Sequence, residues 1–405
     1  MIINASAHNI PLADKSIHAA ITSPPYFGLR KYEGAQDVEW PAGVYAPMTG
    51  CPPCVEVPAM RACLGNEPTI EAFIWHLLLV MRELKRVLRD DGTCWINLGD
   101  SYNRNQDEIE GGNLLAIPHR FALAAQADGW VLRNDCVWHK KSAMPESVSG
   151  WKFQDGQLRR GSWRHTRAHE YVFQFVKGMG YWSDSEIVKE ANSEDMQRRA
   201  SLGHTRGANG KVDSSRQDAD TLRGVAAMEI QASGRNPRSV FSPSPSPYSG
   251  AHFATFPKEL IRPLILSSVP RRCCPVCGQG WAAVVESEKG KSKDCPKTLD
   301  AHFARGGVGV PVGTVGRSGS GRIDGFSLTT GYRPTCNCGR EDYTQGICLD
   351  PFVGSGTTLE VARECGVQAI GLDISFQYLD EQASWRGLQI AKPDFSAMPL
   401  FAEVA

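Results

Sequence analysis

The chain has 405 residues, 41% hydrophobic, 22% charged and 9% aromatic, which is enough apolar content for a sizeable core and excludes wholesale disorder. Lysine plus arginine number 44, as do aspartate plus glutamate, so the overall charge advertises no polyanion partner, although a basic face can be offset by acids elsewhere. The most apolar stretch, Phe73–Met81, holds His76 and runs into Arg82, Glu83, Lys85 and Arg86, too short to cross a bilayer, and Met1-Ile2-Ile3-Asn4 lacks the charged start of a signal peptide. Thirteen cysteines, several in close pairs, favour free thiols and a metal over a disulfide framework. The expectation is a soluble, intracellular, globular, metal-containing protein.

From Ser16 to Thr22 the chain reads as a short buried strand. It must stop at Ser23-Pro24-Pro25, because two prolines remove two backbone donors and fix φ. Ile70, Phe73, Ile74, Leu77, Val80, Met81, Leu84 and Leu88 recur at helical spacing, with Thr69 as N-cap and Asp91-Gly92 as the close. Thr93–Leu98 then reads as a strand, Asn113–Asp128 as an amphipathic helix stopped by Gly129, and Val131–Trp138 as a further strand. This alternation predicts an α/β layer architecture. Over 183–250 apolar content drops and the stretch ends in alternating Ser-Pro pairs, which reads as a variable lobe with a stiff linker. Residues 271–345 hold two cysteine pairs and a Gly-rich run, and read as an insertion. The α/β pattern resumes at 346.

Two strings carry chemistry. Ile347-Cys348-Leu349-Asp350-Pro351-Phe352-Val353-Gly354-Ser355-Gly356-Thr357-Thr358 reads as an apolar strand, a Gly-x-Gly turn and a helix to Glu364, followed by a strand Val367–Leu372 that ends at Asp373. A glycine turn lets a ligand approach backbone amides, and an acid ending the next strand can accept from two ribose hydroxyls. The pattern is not the dinucleotide G-x-G-x-x-G, since Leu359 stands at the third glycine. The second string is Thr22-Ser23-Pro24-Pro25-Tyr26 at a strand's C-terminal end, where a hydroxyl, a free carbonyl and an aromatic face converge.

Together these strings resemble the catalytic and S-adenosylmethionine motifs of amino-methylating DNA methyltransferases. The order, catalytic motif first, is similar to the permuted β group of that family. The likeness extends to Asp91–Tyr102, Trp138-His139-Lys140, Met144-Pro145-Glu146-Ser147, Thr166–Tyr171 and His252-Phe253-Ala254-Thr255-Phe256-Pro257. It implies an α/β Rossmann-like S-adenosylmethionine-dependent fold, a mixed twisted sheet flanked by helices in circularly permuted order, plus a small zinc-binding insertion. The implied segments are 1–182 (catalytic part), 183–250 (target-recognition lobe and linker), 251–270 (cofactor motif), 271–345 (cysteine-rich insertion) and 346–405 (cofactor-binding part). The resemblance assigns Ser23, Pro24, Pro25 and Tyr26 to catalysis. It assigns Asp350, Phe352, Gly354, Gly356, Thr357, Asp373, Phe256 and Pro257 to the cofactor. The family has an acid where this chain reads Ala5-Ser6-Ala7, so Ser6 would meet the cofactor's adenine amine with less charge assistance. Serine at the first catalytic position points to cytosine N4 as the methylated amine; adenine N6 with the same machinery, and an inactive DNA-binding zinc protein, are the alternatives. Implied partners are double-stranded DNA, a second copy if the protein is a homodimer rather than a monomer, and a cognate restriction endonuclease, in the cytoplasm of a bacterium or encoded by a phage.

Cys274-Pro275-Val276-Cys277-Gly278 and Cys336-Asn337-Cys338-Gly339 are two knuckles with 58 residues between them, and four thiolates would make a closed structural zinc site. Cys273 and Cys295 are spare candidates. Cys51, Cys54 and Cys63 form a weaker set, with His76 as its candidate fourth partner; Cys94, Cys136, Cys348 and Cys365 fall in core elements. Residues 131–180 carry nine basic residues against four acids, interleaved with Trp151 and Trp163, a patch able to follow a phosphate backbone. Base readout is expected from the 183–250 lobe, with Arg198, Arg199, Arg206, Arg223, Arg235 and Arg238 as candidates.

Overall fold

A run such as Ile17–Thr22, in which all six residues are buried, can only sit inside a sheet covered on both faces. The computed structural model describes residues 1–28, 36–103, 109–146, 148–190, 235–244, 256–288, 326–375 and 379. The first elements are β1 (Ile2–Asn4) and β2 (Ile17–Thr22), then the short strands β3 (Val38–Trp40), β4 (Gly43–Tyr45), β5 (Val55–Val57) and β6 (Met60–Ala62). Next come α1 (Ile70–Val87), β7 (Leu88–Leu98), α2 (Ile117–Ala127) and β8 (Val131–His139). A hairpin of β9 (Lys152–Gln154) and β10 (Gln157–Arg159) leads to β11 (His169–Val176), β12 (Val240–Phe241) and α3 (Lys258–Ser268). The rest are β13 (Ala282–Glu288), β14 (Phe326–Arg333), β15 (Ile347–Asp350), α4 (Thr357–Glu364) and β16 (Gln368–Asp373).

Eight strands form one mixed sheet in the order β1-β16-β15-β2-β7-β11-β8-β12. Neighbours run parallel except at β11, which is antiparallel to both β7 and β8. The period of two along β7 builds two cores. Cys94, Ile96 and Leu98 pack with α1 and α2, whereas Trp95 packs with Leu260, Ile261, Leu264 and Ile265 of α3 and Val361 of α4. The expected helix-flanked mixed sheet is therefore present. No helix of the described residues is long and apolar enough to cross a membrane.

Two boundaries differ from the sequence reading. The first helix starts as expected, with Thr69 Oγ1 accepting from Ala72 N, but it ends at Val87, and Asp91-Gly92 lie inside β7. There the pairing with β2 jumps from Ile17↔Leu88 to Ala19↔Thr93. A Cβ on Gly92 would come within 3.0 Å of the carbonyl oxygens of Arg89 and His18, so this glycine allows a close backbone crossing within the bulge rather than a helix stop. The second helix starts at Ile117 rather than Asn113, because Asp100 Oδ1 accepts from Ile117 N at 3.0 Å and fixes its first turn.

The chain divides into two units, one of Met1–Ser183, Ser239–Arg271 and Thr344–Ala405 and one of Asp184–Arg238 and Arg272–Tyr343. The second unit contains the antiparallel pair β13–β14, and Tyr332 of β14 donates to Asp184 Oδ2 at 2.8 Å. Arg198, Arg199, Arg206, Arg223, Cys295, Ser147, the Gly-rich run and residues 252–255 of the extra cofactor motif lie outside the described residues.

Candidate functional site

Because β15 and β2 are parallel neighbours, with Cys348 opposite Ala19 and Leu349 opposite Ala20, their C-terminal ends emerge at one sheet edge. The two ends are bonded to each other. Thr22 Oγ1 donates to Asp350 Oδ1 at 2.5 Å, Thr358 Oγ1 of α4 donates to Oδ2 at 2.6 Å, and Phe352 N donates to Oδ1 at 3.1 Å. Asp350 is 2% exposed, and burial pushes its pKa up to about 6 against the pull of these bonds. The carboxylate thus ties together the strand before the Ser-Pro-Pro-Tyr string, the glycine turn and the helix after it.

The turn itself is tight. Gly354 has φ +48° and Gly356 φ +78°, conformations that side chains rarely adopt, and Val353 N donates to Leu372 O of the adjoining strand at 2.9 Å. Phe352 is half-buried, while Ser355, Thr357 and Thr358 are buried. Asp373, at the end of β16, accepts from Gly354 N at 3.3 Å and Ser375 N at 2.9 Å. Burial pushes the Asp373 carboxyl above its ordinary range, and its backbone-amide bonds pull the other way. The N-terminal strand adjoins this edge: Ala5 N donates to Asp373 O at 3.2 Å, and the next residue, Ser6, has its Oγ 2.6 Å from His8 Nδ1. Pro257, which is buried, precedes α3, and half-buried Phe256 packs against the α3–α4 core. Lys258, the first residue of α3, pairs with Glu360 in the first turn of α4 and, at 3.0 Å, with Glu364. All the sequence-assigned cofactor residues thus belong to segments that meet at, or pack beside, the β1–β16–β15 edge.

Next to it, Ser23 Oγ donates to the Tyr26 hydroxyl at 3.2 Å, and Tyr26 donates to Glu170 Oε2 at 2.7 Å, with Asn97 Oδ1 3.1 Å away. Asn97 Nδ2 donates to Glu170 Oε2 at 3.2 Å and to Tyr171 O at 3.0 Å, and Lys140 pairs with the other Glu170 oxygen. The Tyr26 ring lies over Gly99, where a Cβ would come within 2.7 Å of Cε2. Pro24 is buried and Pro25 half-buried. Thr22, Thr358, Asn97 and Glu170 lie within the strings and segments quoted from the sequence, but no role was assigned to them there; the structure shows all four buried.

The four knuckle sulfurs, Cys274, Cys277, Cys336 and Cys338, lie within 4.8 Å of one another. The weaker set does not assemble. Cys51 and Cys54 are exposed, Cys63 is buried with its thiol pushed up to about 11 by burial, and His76 instead pairs with Glu67 at 2.8 Å beneath Trp40. Cys94, Cys136, Cys348 and Cys365 are buried, as expected of core positions.

Comparison with known proteins places this arrangement. A family profile described as DNA methylase, of N6 and N4 methyltransferases, matches residues 17–286 and 341–384. The chain is 32% identical over 280 residues to the type II methyltransferase M.Cfr9I of Citrobacter freundii, covering 64% of this chain and 68% of that protein. It is 30% identical over 294 residues to M.SmaI of Serratia marcescens, covering 66% and 75%. It is 26% identical over 413 residues to M.SfiI of Streptomyces fimbriatus, covering 91% and 86%. Among solved structures, the PvuII DNA methyltransferase (cytosine-N4-specific) aligns with a TM-score of 0.47 and 14% identity over 96% of this chain and 86% of its own. Both strings at the shared sheet edge fall inside the matched residues, and the chain belongs to the DNA methylase family of N6 and N4 methyltransferases.

Proposed function

We propose that the protein transfers a methyl group from S-adenosylmethionine to the exocyclic N4 amine of cytosine in double-stranded DNA, acting on a base turned out of the helix. The observation that carries this reading is the Thr22–Asp350–Thr358 linkage, which holds the Ser-Pro-Pro-Tyr string and the glycine turn at one sheet edge. The residues present fit the cofactor. Left-handed glycines leave the turn without side-chain bulk, and the carboxylate of Asp373 keeps acceptor capacity for ribose hydroxyls beyond its bonds to backbone amides. Phe256 and Pro257 would line the methionine end and Ser6 the adenine end. When bound, S-adenosylmethionine supplies a methyl group on an electrophilic sulfonium.

The protein's own work is done on the amine. A base amine is a poor nucleophile because its lone pair is delocalised into the ring. Acceptance of its two hydrogens by Ser23 Oγ and the Pro24 carbonyl draws the nitrogen towards tetrahedral geometry and localises that pair. Tyr26 stacks on the flipped base, and positioning and electrostatics drive direct transfer. The methylated nitrogen must then shed a proton. Ser23 Oγ, the Tyr26 hydroxyl and the Glu170 carboxylate form a donor chain with steps of 3.2 and 2.7 Å, which offers it an exit. The assignment to N4 rather than N6 rests on serine at position 23.

Incubation of purified protein with S-adenosylmethionine and unmethylated duplex DNA, followed by nucleoside mass spectrometry, tests this. N4-methylcytosine is expected, and Ser23→Ala is expected to reduce it at least about 100-fold, the scale of losing a positioned acceptor. N6-methyladenine would overturn the base assignment while leaving the machinery in place. Absence of either methylated nucleoside, together with no cofactor uptake by calorimetry, would favour a DNA-binding protein that has lost activity.

A further inference from the structure

The described residues of the second unit bury little apolar surface of their own. Among its described residues the buried apolar side chains are Cys273, Cys274 and Trp281. Its described regular structure is the β13–β14 pair and a three-residue 3₁₀ turn, Glu186–Val188. A two-stranded hairpin is marginal in water, and modules with so small a core need a staple.

The backbone at the hairpin's open end is shaped for one. Cys274 N donates to Gln279 O and Gly278 N to Cys274 O, both at 2.9 Å, closing the first knuckle around Gly278 at φ +68°. The second knuckle turns at Gly339, φ +67°. Thr335, immediately before it, donates from Oγ1 to Gly280 O at 2.7 Å and so fixes one knuckle against the other. Cys273 pairs in a bridge with Gly280, and Arg272 packs its guanidinium 4.7 Å from the Tyr343 ring centre, bracing the other side. All four sulfurs fall within 4.8 Å of one another, whereas a tetrahedron of sulfurs around zinc at about 2.3 Å has edges of about 3.8 Å. None of the four cysteines is joined in a disulfide, so disulfides do not account for the convergence.

We propose that Cys274, Cys277, Cys336 and Cys338 bind one zinc ion as four thiolates, releasing their protons to solvent, and that this ion holds the two knuckles together at the open end of the β13–β14 pair. Four protein ligands leave no open coordination position, so the site is structural and takes no part in methyl transfer. The inference stands apart from the methyltransferase reading and is tested without measuring activity.

The experiment is metal analysis of the full-length protein purified without chelator, combined with mercurial titration in the presence of a zinc-sensitive dye. One zinc per chain, released in step with modification of four thiols, is expected. Cys277→Ser and Cys338→Ser should each lose the metal and become rapidly cleaved by protease within 272–343, while the Cys51→Ser/Cys54→Ser double variant keeps both metal and resistance. If a cysteine variant fails to fold, the wild-type titration decides the matter alone. Metal-free protein that takes up no added zinc and shows all four thiols reactive would overturn the proposal. So would disulfides among these cysteines detected by mass, or iron in place of zinc.

Discussion

At the residue scale, Asp350 joins the two strings from a buried position. Its oxygens are occupied by Thr22, Thr358 and Phe352 N, so its contribution is to fix the two loops relative to each other. With its folded pKa raised to about 6, the ionised carboxyl costs stability. That cost is absent below the ordinary carboxylate range, grows as pH rises, and is complete above about pH 6. Thr358→Val removes one donor to the charged form. Urea unfolding at pH 8 should show a loss of about 1–3 kcal/mol, a difference that narrows below pH 6 as Asp350 takes up its proton. Tyr26 and Glu170 can be separated from mere packing. Tyr26→Phe keeps the ring over Gly99 and removes the hydroxyl between Ser23 and Glu170. Single-turnover rates should fall about 100-fold in Tyr26→Phe and in Glu170→Gln. The double variant should fall little further, because both belong to one chain; fully additive losses would argue against a shared pathway.

At the element scale, the β9–β10 hairpin is unlike the rest of the first unit. All six of its strand residues are exposed, and the flanking Trp151 and Trp163 are 64% and 60% exposed. Arg160 stacks 5.0 Å from the Trp151 ring centre, and Lys152 and Arg159 lie on paired positions of the two strands. Basic groups beside exposed aromatic rings suit a phosphate backbone. Arg159→Ala/Arg160→Ala is therefore expected to weaken duplex binding for all sequences alike and to lower the slope of log affinity against log salt by about 1–2. Cofactor affinity should be unchanged; an unaltered salt slope would remove the hairpin from the DNA contact. The same scale explains the misplaced end of α1. Asp91-Gly92 looked like a helix stop because that pair commonly ends helices, whereas the packing of Gly92 against the His18 carbonyl shows a strand crossing.

At the scale of the whole molecule, the sheet brings together residues far apart in sequence. Thr22 and Asp350 are separated by 328 positions, and Tyr26 and Glu170 by 144. Strand Ile17–Thr22 was legible because, His18 apart, its residues are short or apolar and the prolines after it cannot continue a ladder. The glycine turn, α4 and the acid ending β16 were legible because each depends on local backbone chemistry: left-handed glycines, a helical period, an acid at a strand's end. The pairing of two cysteine knuckles was legible from spacing within each knuckle, and the fold closes them through Thr335 and Gly280. The sequence by itself thus determined the layer architecture, both chemical strings and the thiol set, since these follow from periodicity, proline and glycine constraints and donor types within short windows. Only the tertiary structure decided that Asp350 faces inward to Thr22, that Glu170 and Asn97 gather around the Tyr26 hydroxyl, and that His76 pairs with Glu67 rather than with a metal. Those outcomes depend on strand register and on which buried polar groups find each other across the sheet, and no local pattern encodes either.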